Sequence, residues 1–570
     1  MSPTPLPFPA GSIYLKRTKF FYTKMDDELF QINPHTNPDD ALPLGRTVGF
    51  RYADSIKESG SFGNVGINDK AFKVALPAYD LPSTVDSYLK EKGLFSELAL
   101  AFDDVTILDF KSDIPSRSSI TDTRSRLAKD IILNTPIVSA NMDTITESHM
   151  AVALARLGGI GFIHQFLPLE KRIQEVKKVK RADSGVIERP FSIAPEATVR
   201  EAKQIIQSNQ ISGLLVVDSS EKLVGILTSR DLRFESMDEK RVAEVMTHAP
   251  LITAPRGTTL EQARIILKKN KIEKLPLVDG EDRVAGLITA KDILKIQQFP
   301  NALRDQKGRL MAGATVGIGR DFAKEAEALA EAGADVILID TARGFSTRLE
   351  ESVKTLRRAL GESMPIVAGN IDTPEGALML IEAGADALKV GIGPGAVCKT
   401  REGPGVGIPQ ITAVAECTAV ARKYNVPVIA DGGIRGGAHF CKALAAGASS
   451  IMMGWMLAGT EETPGEPFYE DGEKWKIYRG SASLEFQLSR LDRDEFDPST
   501  SSGHGKVRAP EGVPRRVHYK GEAALVVHDL MSYLRSSMSY VGAWTLEDYR
   551  QKSKFRRQTA SGYEEGRPMN

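Results

Sequence analysis

The sequence is poor in cysteine, in net charge and in long apolar runs. Three cysteines among 570 residues are too few for a disulfide framework and fit a reducing compartment. Lys and Arg together number 74, as do Asp and Glu, so the zero net charge gives no electrostatic reason to expect a nucleic-acid or membrane partner. No apolar run approaches the roughly 20 residues that span a bilayer, and the N-terminus lacks the basic-then-apolar order of a secretory signal. These absences predict a cytoplasmic protein with no membrane partner and no requirement for nucleic acid.

Length and composition indicate several globular domains. Hydrophobic residues make up 42% of the chain, which is enough for ordinary cores. Residues 1–95 differ from the rest because they are rich in Pro, Gly, Asp and Asn and carry no motif. We therefore predict an N-terminal extension of unknown role before the first domain.

Short strands and helices alternate on both sides of a central segment. Eight apolar stretches each run into a polar or glycine-rich loop: Pro136–Ser139, Gly161–His164, Met311–Val316, Val336–Asp340, Pro365–Ala368, Ala387–Val390, Val426–Ala430 and Ser450–Met453. This alternation is typical of a parallel sheet covered by helices. The count predicts an α/β fold, the (β/α)8 TIM barrel, whose active site lies at the carboxyl ends of the strands.

An internal repeat interrupts this alternation. Leu214–Asp218 recurs as Leu275–Asp279, and Gly225–Thr228 recurs as Gly286–Thr289, 61 residues later in each case. A fixed period indicates duplicated structural units. The pair resembles a tandem CBS (Bateman) module, which implies an adenine or guanine nucleotide bound at Thr228, Asp231, Thr289 and Asp292. The competing interpretation makes both aspartates helix N-terminal residues, which the helix dipole favours.

Cys398 lies in a glycine-rich loop directly after the predicted strand Ala387–Val390. The loop contains Gly391, Gly393 and Gly395, which can hold positive φ and expose backbone groups to a phosphate or an ion. Neighbouring cations favour the thiolate form of a cysteine, so this position favours a covalent nucleophile. The alternative is a small buried cysteine beside a tight turn. The other two cysteines, Cys417 and Cys441, lie on apolar helical stretches and are expected in the core.

This loop resembles the active-site loop of the inosine monophosphate (IMP) dehydrogenase and guanosine monophosphate (GMP) reductase family. The family pattern is Gly-x-Gly-x-Gly, two residues, Cys, one residue, Thr. The resemblance extends to Ser139–Thr144, Gly405–Gln410, Asp431–Ile434 and Tyr478–Gly480. It implies that a cysteine attacks C2 of the IMP purine, that hydride passes to NAD, and that water hydrolyses the resulting thioimidate to xanthosine monophosphate (XMP).

The resemblance also assigns roles by motif position. It implies catalytic roles for Cys398, Thr400, Arg493 and Glu511. It implies substrate contacts at Asp431, Gly433, Gly454 and Tyr478. It implies cofactor contacts at Asp340, Asn370 and Gly391. Finally, it implies that a potassium ion binds the carbonyl groups of Gly393, Gly395 and Cys398. Taken alone, Asp340 and Asp431 are equally well interpreted as helix-capping carboxylates at βα turns.

The same resemblance implies how the chain is divided and assembled. The barrel would occupy 96–184 and 298–570, the CBS module 185–297, and a mobile flap about 478–521. Ser561–Gly566 resembles a segment that completes the potassium site of a neighbouring subunit. A homotetramer is therefore expected, with pairing into an octamer through the CBS modules.

Several residues depart from the family pattern and leave a second interpretation open. Ala396 stands where Ser is usual, Trp455 stands where a small residue is usual, and Asp494 replaces the Tyr of the flap Arg-Tyr pair that Arg493 would begin. A GMP reductase, which deaminates GMP with NADPH, needs no hydrolytic flap base. His164–Phe166 lacks the Lys typical of reductases, which favours the dehydrogenase. A non-catalytic nucleotide sensor is the third interpretation, and the intact Cys-x-Thr argues against it.

Overall fold

The computed structural model describes residues 98–568 except 184, 210 and 481–511, and the side chains of residues 292 and 295 also lie outside the description. The elements before the repeat are β1 (Val105–Ile107), β2 (Ser125–Ala128), β3 (Ile131–Leu133), β4 (Ile137–Ser139), α1 (Ser148–Arg156), β5 (Ile160–Ile163) and α2 (Leu169–Arg181). The elements of the repeat are β6 (Ser192–Ile193), α3 (Val199–Ser208), β7 (Gly213–Val217), β8 (Leu223–Thr228), α4 (Ser229–Leu232), α5 (Val242–Val245), β9 (Thr247–His248), β10 (Ala254–Pro255), α6 (Leu260–Asn270), β11 (Lys274–Val278), β12 (Val284–Thr289) and α7 (Ala290–Gln298).

The chain after the repeat contains the remaining elements. They are β13 (Gly313–Val316), α8 (Phe322–Glu331), β14 (Val336–Asp340), α9 (Thr347–Leu360), β15 (Ile366–Ile371), α10 (Pro374–Glu382), β16 (Ala387–Val390), α11 (Gln410–Ala421), β17 (Val428–Asp431), α12 (Gly437–Ala445), β18 (Ser450–Met453), β19 (Phe468–Glu470), β20 (Glu473–Arg479), β21 (Pro514–His518), α13 (Ala523–Val541), α14 (Leu546–Lys552), β22 (Phe555–Arg557) and α15 (Ala560–Glu565).

Eight parallel strands close into a barrel in the order β13-β14-β15-β16-β17-β18-β4-β5. The closure comes from the pairing of β18 with β4 and of β5 with β13, where Gly313 lies opposite Phe162. Strand residues such as Ile337, Leu338 and Ile339 are fully buried, as expected for a parallel sheet covered on both faces. The predicted (β/α)8 fold is confirmed.

The helices between the strands form for identifiable local reasons. In α9 the Ser346 hydroxyl accepts a hydrogen bond from the Leu349 N–H and caps the helix. Leu349, Val353 and Leu356 recur at helical spacing and are buried. Each such helix returns the chain to the next strand. The carboxyl ends of the strands therefore share one face of the barrel.

Strand β15 ends later than predicted. The sequence places its end at Ala368, but Ile371 still pairs with Val390 after a register shift at Gly369. Asn370 therefore lies within β15, next to its last residue, and not in the loop that follows the strand. The pairing with β16, which the local sequence does not specify, causes the difference.

Each copy of the repeat forms its own sheet between β5 and β13. The orders are β6-β7-β8-β9 and β10-β11-β12. The buried residues correspond at the 61-residue offset: Leu214, Val216 and Leu227 in the first copy, and Leu275, Leu277 and Ile288 in the second. The helices α3 and α6 are both capped by threonine hydroxyls, those of Thr198 and Thr259. The predicted insertion of a duplicated module is confirmed.

Three smaller sheets complete the barrel part, one of them the antiparallel pair β2-β3. Strands β19, β20 and β21 form an antiparallel sheet that borders residues 481–511, with Arg479 opposite Pro514. Strand β22 pairs with β1 and so joins the end of the chain to the start of the barrel part. Across the described residues, no helix has both the length and the apolar character to cross a membrane.

Candidate active site

A cavity of about 490 Å³ opens at the carboxyl ends of the barrel strands. Its walls are the carboxyl ends of all eight barrel strands and the loops that follow them, together with Tyr478, Gly480 and Gly512. The predicted residues that line it are Asp340, Asn370, Gly391, Gly393, Gly395, Cys398, Thr400, Asp431, Gly433, Gly454 and Tyr478. All of the barrel site residues named from the sequence that fall within the described part of the chain therefore meet in one cavity.

Cys398 is exposed in this cavity, whereas the other two cysteines are buried. The Cys398 thiol lies 3.2 Å from the Thr400 hydroxyl, and the Cys398 N–H donates to the Gly395 carbonyl at 3.0 Å. Burial raises the pKa of the Cys441 thiol to about 12 and holds the pKa of Cys417 well above its ordinary value. Of the three thiols, only Cys398 is therefore accessible to a ligand, and the prediction that Cys417 and Cys441 are core residues is confirmed.

The cysteine loop is tied to the chain that follows residues 481–511. Cys398 and Gly512 form an isolated antiparallel bridge, and the Val513 N–H donates to the Val397 carbonyl at 3.1 Å. The Arg479 guanidinium, at the other side of the same segment, pairs with Asp143 in the loop after β4. The described residues on either side of 481–511 thus contact loops of the cavity.

Two glycines of the cavity have no room for a side chain. A Cβ atom at Gly391, where φ is +145°, would lie 2.1 Å from the Asp431 carbonyl oxygen. A Cβ atom at Gly454 would lie 2.6 Å from the Tyr478 hydroxyl. The backbone therefore approaches its neighbours closely at these two positions.

Tyr478 is buried, with 3% of its surface exposed, and its hydroxyl lies 3.8 Å from the Met142 sulfur. Burial raises the pKa of the Tyr478 phenol, and the charges of Asp431 and Cys398 raise it further. The phenol therefore stays protonated at neutral pH and can donate a hydrogen bond into the cavity.

The floor of the cavity is a charged network centred on Lys389. The Lys389 ammonium lies 2.9 Å from Asp340 Oδ1 and 2.7 Å from Asp431 Oδ2, and it also donates to the Asn370 side-chain carbonyl. Burial alone would lower the pKa of Lys389, but Asp340 and Asp431 outweigh it and hold that pKa above its ordinary value. Asn141 donates to Asp340 Oδ2 at 2.8 Å, and Asn370 donates to Asp431 Oδ2 at 2.9 Å.

Lys389, Asn141 and Gln410 were not named as site residues from the sequence. Gln410 donates to the carbonyl groups of Val390 and Asp431, at 2.9 and 3.1 Å. The sequence does contain a signal for Lys389, because it is the only charged residue in the otherwise apolar strand β16. A buried lysine of this kind requires a carboxylate partner.

Some predicted residues lie outside the cavity or outside the description. Arg493 and Glu511 fall within 481–511, as does most of the predicted flap, and the predicted extension 1–95 is not described either. In the repeat, Asp231 accepts hydrogen bonds from the Thr228 N–H and hydroxyl, both at 2.7 Å, and so caps the short helix α4. The capping interpretation of Asp231 therefore holds, and nucleotide binding there stays a prediction. Thr289 ends β12, and the side chain of Asp292 is not described.

Comparisons with known proteins bear directly on this cavity. The family model described as the IMP dehydrogenase / GMP reductase domain matches residues 99–569. The chain belongs to this family. An inosine-5'-monophosphate dehydrogenase from Aquifex aeolicus is 49% identical over 470 residues, which cover 82% of this chain and 94% of that one. An inosine-5'-monophosphate dehydrogenase from Nitrosopumilus maritimus is 45% identical over 469 residues, which cover 82% and 98%.

Solved structures of the family share this fold. A GMP reductase variant from Trypanosoma brucei in complex with guanosine 5'-monophosphate matches with a TM-score of 0.78 and 38% identity, covering 84% of this chain and 99% of that one. The family assignment made from the cysteine loop is confirmed.

Proposed function

We propose that this protein is an NAD-dependent IMP dehydrogenase that oxidises IMP to XMP in guanine nucleotide synthesis. The observation that carries the proposal is the identity of 44–49% to curated IMP dehydrogenases along nearly their whole length. The exposed Cys398–Thr400 pair at the cavity supports it, because a sensor would not need an accessible nucleophile.

The proposed reaction is the one that the resemblance to the family implies, with Cys398 as the nucleophile. Its sulfur adds to C2 of IMP and forms a carbon–sulfur bond. The C2=N3 double bond opens in this step and N3 takes a proton, which it gives up again when the hydride leaves. When bound, NAD supplies the acceptor for the hydride that leaves C2. Oxidation of the adduct gives a thioimidate on Cys398, and water then cleaves the carbon–sulfur bond, which releases XMP and restores the thiol. Thr400 lies next to the sulfur, where its hydroxyl can orient the purine or the water.

The walls of the cavity supply the remaining contacts. We assign Asp431 to the substrate ribose, and the backbone at Gly433 and Gly454 with the Tyr478 hydroxyl to the phosphate. Asp340, Asn370 and Gly391 are assigned to the nicotinamide ribose side. The protonated phenol of Tyr478 suits a phosphate because it donates to an anion.

We assign the carbonyl groups of Gly393, Gly395 and Cys398 to a potassium ion. Neutral carbonyl oxygens are hard ligands that suit a cation of low charge density. The Gly395 carbonyl already accepts the Cys398 N–H, and its second lone pair remains for an ion. Within the described residues no cluster of three or more His, Cys, Asp or Glu side chains forms a metal site, so the proposed ion depends on backbone oxygens.

GMP reduction is the second candidate function. It is favoured by the structural match to the Trypanosoma brucei GMP reductase in complex with guanosine 5'-monophosphate. Purified protein should be given IMP with NAD, and separately GMP with NADPH, while the nicotinamide absorbance is followed. We expect the absorbance to rise with IMP and NAD. A fall with GMP and NADPH, without the rise, would establish the reductase.

The flap residues separate the two reactions further. We assign Arg493 as the base for hydrolysis, supported by Glu511. In Arg493→Ala the initial burst of NADH should remain, and steady turnover should fall by about 10²-fold, the range for losing a general base. If both burst and turnover are unchanged, Arg493 is not the base.

Assembly and regulation complete the proposal. We propose a homotetramer that pairs into an octamer through the CBS modules, with an adenine or guanine nucleotide bound near Thr228, Asp231, Thr289 and Asp292. Light scattering at micromolar concentration tests the assembly, and a monomer would contradict it.

A further inference from the structure

Lys389 is the only lysine or arginine in the barrel strands that the structure describes, and it lines the cavity. Its side chain is 3% exposed. The ammonium is therefore too enclosed to act as a surface charge, and it must be explained by its partners.

Those partners belong to two different sides of the cavity. Asp340 ends β14, and Asp431 ends β17, three strands further along the barrel. The single ammonium of Lys389 lies 2.9 Å from one carboxylate and 2.7 Å from the other. Both carboxylates remain partly open to the cavity, with 22% and 21% of their side-chain surfaces exposed.

The side-chain amides of Asn141 and Asn370 determine which carboxylate oxygens of Asp340 and Asp431 remain available to a ligand. Asn370 donates to Asp431 Oδ2, the oxygen that also receives Lys389, and to the Gly391 carbonyl at 2.7 Å. Asn141 holds Asp340 Oδ2. The network thus runs without a break from Asn141 through Asp340, Lys389 and Asp431 to the start of the cysteine loop.

We propose that Lys389 is a positioning residue that couples the two halves of the cavity, so that a ligand held by Asp340 and a ligand held by Asp431 affect each other's affinity. The proposal rests on the proposed function in one respect, the assignment of Asp340 and Asp431 to two different ribose groups. The physical basis is that one shared cation neutralises two carboxylates. Any change at one carboxylate alters how strongly the cation holds the other.

Equilibrium binding tests the coupling without requiring turnover. The affinities for IMP alone and for NAD alone should be measured by calorimetry in the wild type, Asp340→Asn, Lys389→Met and the double variant. In the wild-type background Asp340→Asn should change the affinity for IMP by about twofold or more, although Asp340 is assigned to the other ligand. In the Lys389→Met background the same substitution should leave the affinity for IMP unchanged.

A conservative variant distinguishes coupling from a merely structural role. Lys389→Arg keeps a cation between Asp340 and Asp431, whereas Lys389→Met leaves the two carboxylates without one. In the Lys389→Arg background, Asp340→Asn should again change the affinity for IMP by about twofold or more, as in the wild type. If Asp340→Asn has no effect in a folded Lys389→Arg background, the cation is not what couples the two carboxylates.

The outcomes separate this inference from the proposed function. An affinity for IMP that does not respond to Asp340→Asn, measured in a folded wild-type background, would overturn the coupling. If Lys389→Met does not fold, the affinities for IMP of the wild type and of Asp340→Asn can still be compared, and equal values would overturn the coupling. If the enzyme proves to be a reductase, the proposed function fails, and the same cycle is measured with GMP and NADPH.

Discussion

At the scale of single residues, the cavity depends on what lies immediately beside each functional group. Cys398 is exposed next to Thr400, while Cys417 and Cys441 are buried. A buried thiol has a raised pKa and contributes little thiolate at neutral pH. Accessibility, more than residue type, therefore distinguishes the nucleophile.

Cys398→Ala should eliminate turnover because no other thiol reaches the cavity. Binding of IMP should persist, since the substitution removes one atom from an exposed position. Cys417→Ala is the matched control: it should lower the free energy of unfolding by about 1–2 kcal/mol, as for other small core deletions, and leave kcat unchanged. Stopped-flow absorbance and calorimetry measure both effects. Residual turnover in Cys398→Ala would exclude covalent catalysis by this residue.

Gly454→Ala should weaken phosphate binding. The new methyl group would lie 2.6 Å from the Tyr478 hydroxyl and displace it. Loss of a hydrogen bond to a charged group costs about 1.5–3 kcal/mol, so KM for IMP should rise by about 10- to 100-fold. Tyr478→Phe provides the control, because adding Gly454→Ala to it should then have little further effect on KM. Additive effects of the two substitutions would show that Gly454 acts independently of the phenol.

At the scale of secondary-structure elements, helices that follow one another in the chain also support each other. Glu175 on α2 accepts a hydrogen bond at 2.7 Å from the N–H of Ser148, the first residue of α1, and it pairs with Lys178 on its own helix. Burial alone would raise the pKa of Glu175, but the hydrogen bonds from Lys178 and Ser148 outweigh it and hold that pKa below its ordinary value.

Glu175→Gln should therefore destabilise the fold in a pH-dependent manner. Because the pKa of Glu175 is lower in the folded state, its ionised form stabilises the protein above the ordinary value of 4.5. That contribution is lost as the pH falls through the folded-state pKa. Denaturant unfolding at pH 7 should give a decrease of about 1 kcal/mol, and the difference from the wild type should shrink below pH 4.5. If the free energy of unfolding differs from that of the wild type by the same amount at pH 7 and below pH 4.5, the ionised carboxylate is not the cause.

Many of the strand positions were predictable from the sequence, and the features that were not have a common cause. The positions of Val336–Asp340 and Ser450–Met453 as strands follow from local apolar runs, and the structure has the same bounds. The extension of β15 to Ile371 and the role of Lys389 depend instead on neighbouring strands. Those contacts join residues far apart in the chain, so no local pattern specifies them.

At the scale of the whole molecule, the repeat is inserted where the barrel tolerates it. The chain leaves the barrel after β5 and returns at β13, and these two strands are paired neighbours. The two copies of the repeat also contact each other directly, since the Leu223 N–H donates to the Asp282 carbonyl at 3.0 Å. The repeat period predicted the duplication, but the contact between the copies could not be derived from it.

Nucleotide binding to the repeat should be visible in the stability of the full chain. ATP should raise the melting temperature by mass action, by an amount that corresponds to about 2.7 kcal/mol at a concentration 100-fold above its Kd. Asp231→Asn and Asp292→Asn together should abolish the rise, because an amide lacks the charge that accepts ribose hydroxyls most strongly. Asn keeps an oxygen for the Thr228 cap, so the protein without ATP should melt as the wild type does. A rise that survives both substitutions would exclude these residues as ligands.

Trp455 gives the cavity an optical reporter. The chain has three tryptophans, and only Trp455 lines the cavity, among the residues described. Its ring lies 6.0 Å from that of Tyr478, and the Lys520 ammonium lies 5.5 Å from it. Trp475 packs against His518, and Trp544 is on the surface, so their fluorescence should respond less to a ligand. Because reduced nicotinamide absorbs where indole emits, the dinucleotide formed in the cavity should quench Trp455 by energy transfer, and its release could be timed from the recovery of that emission.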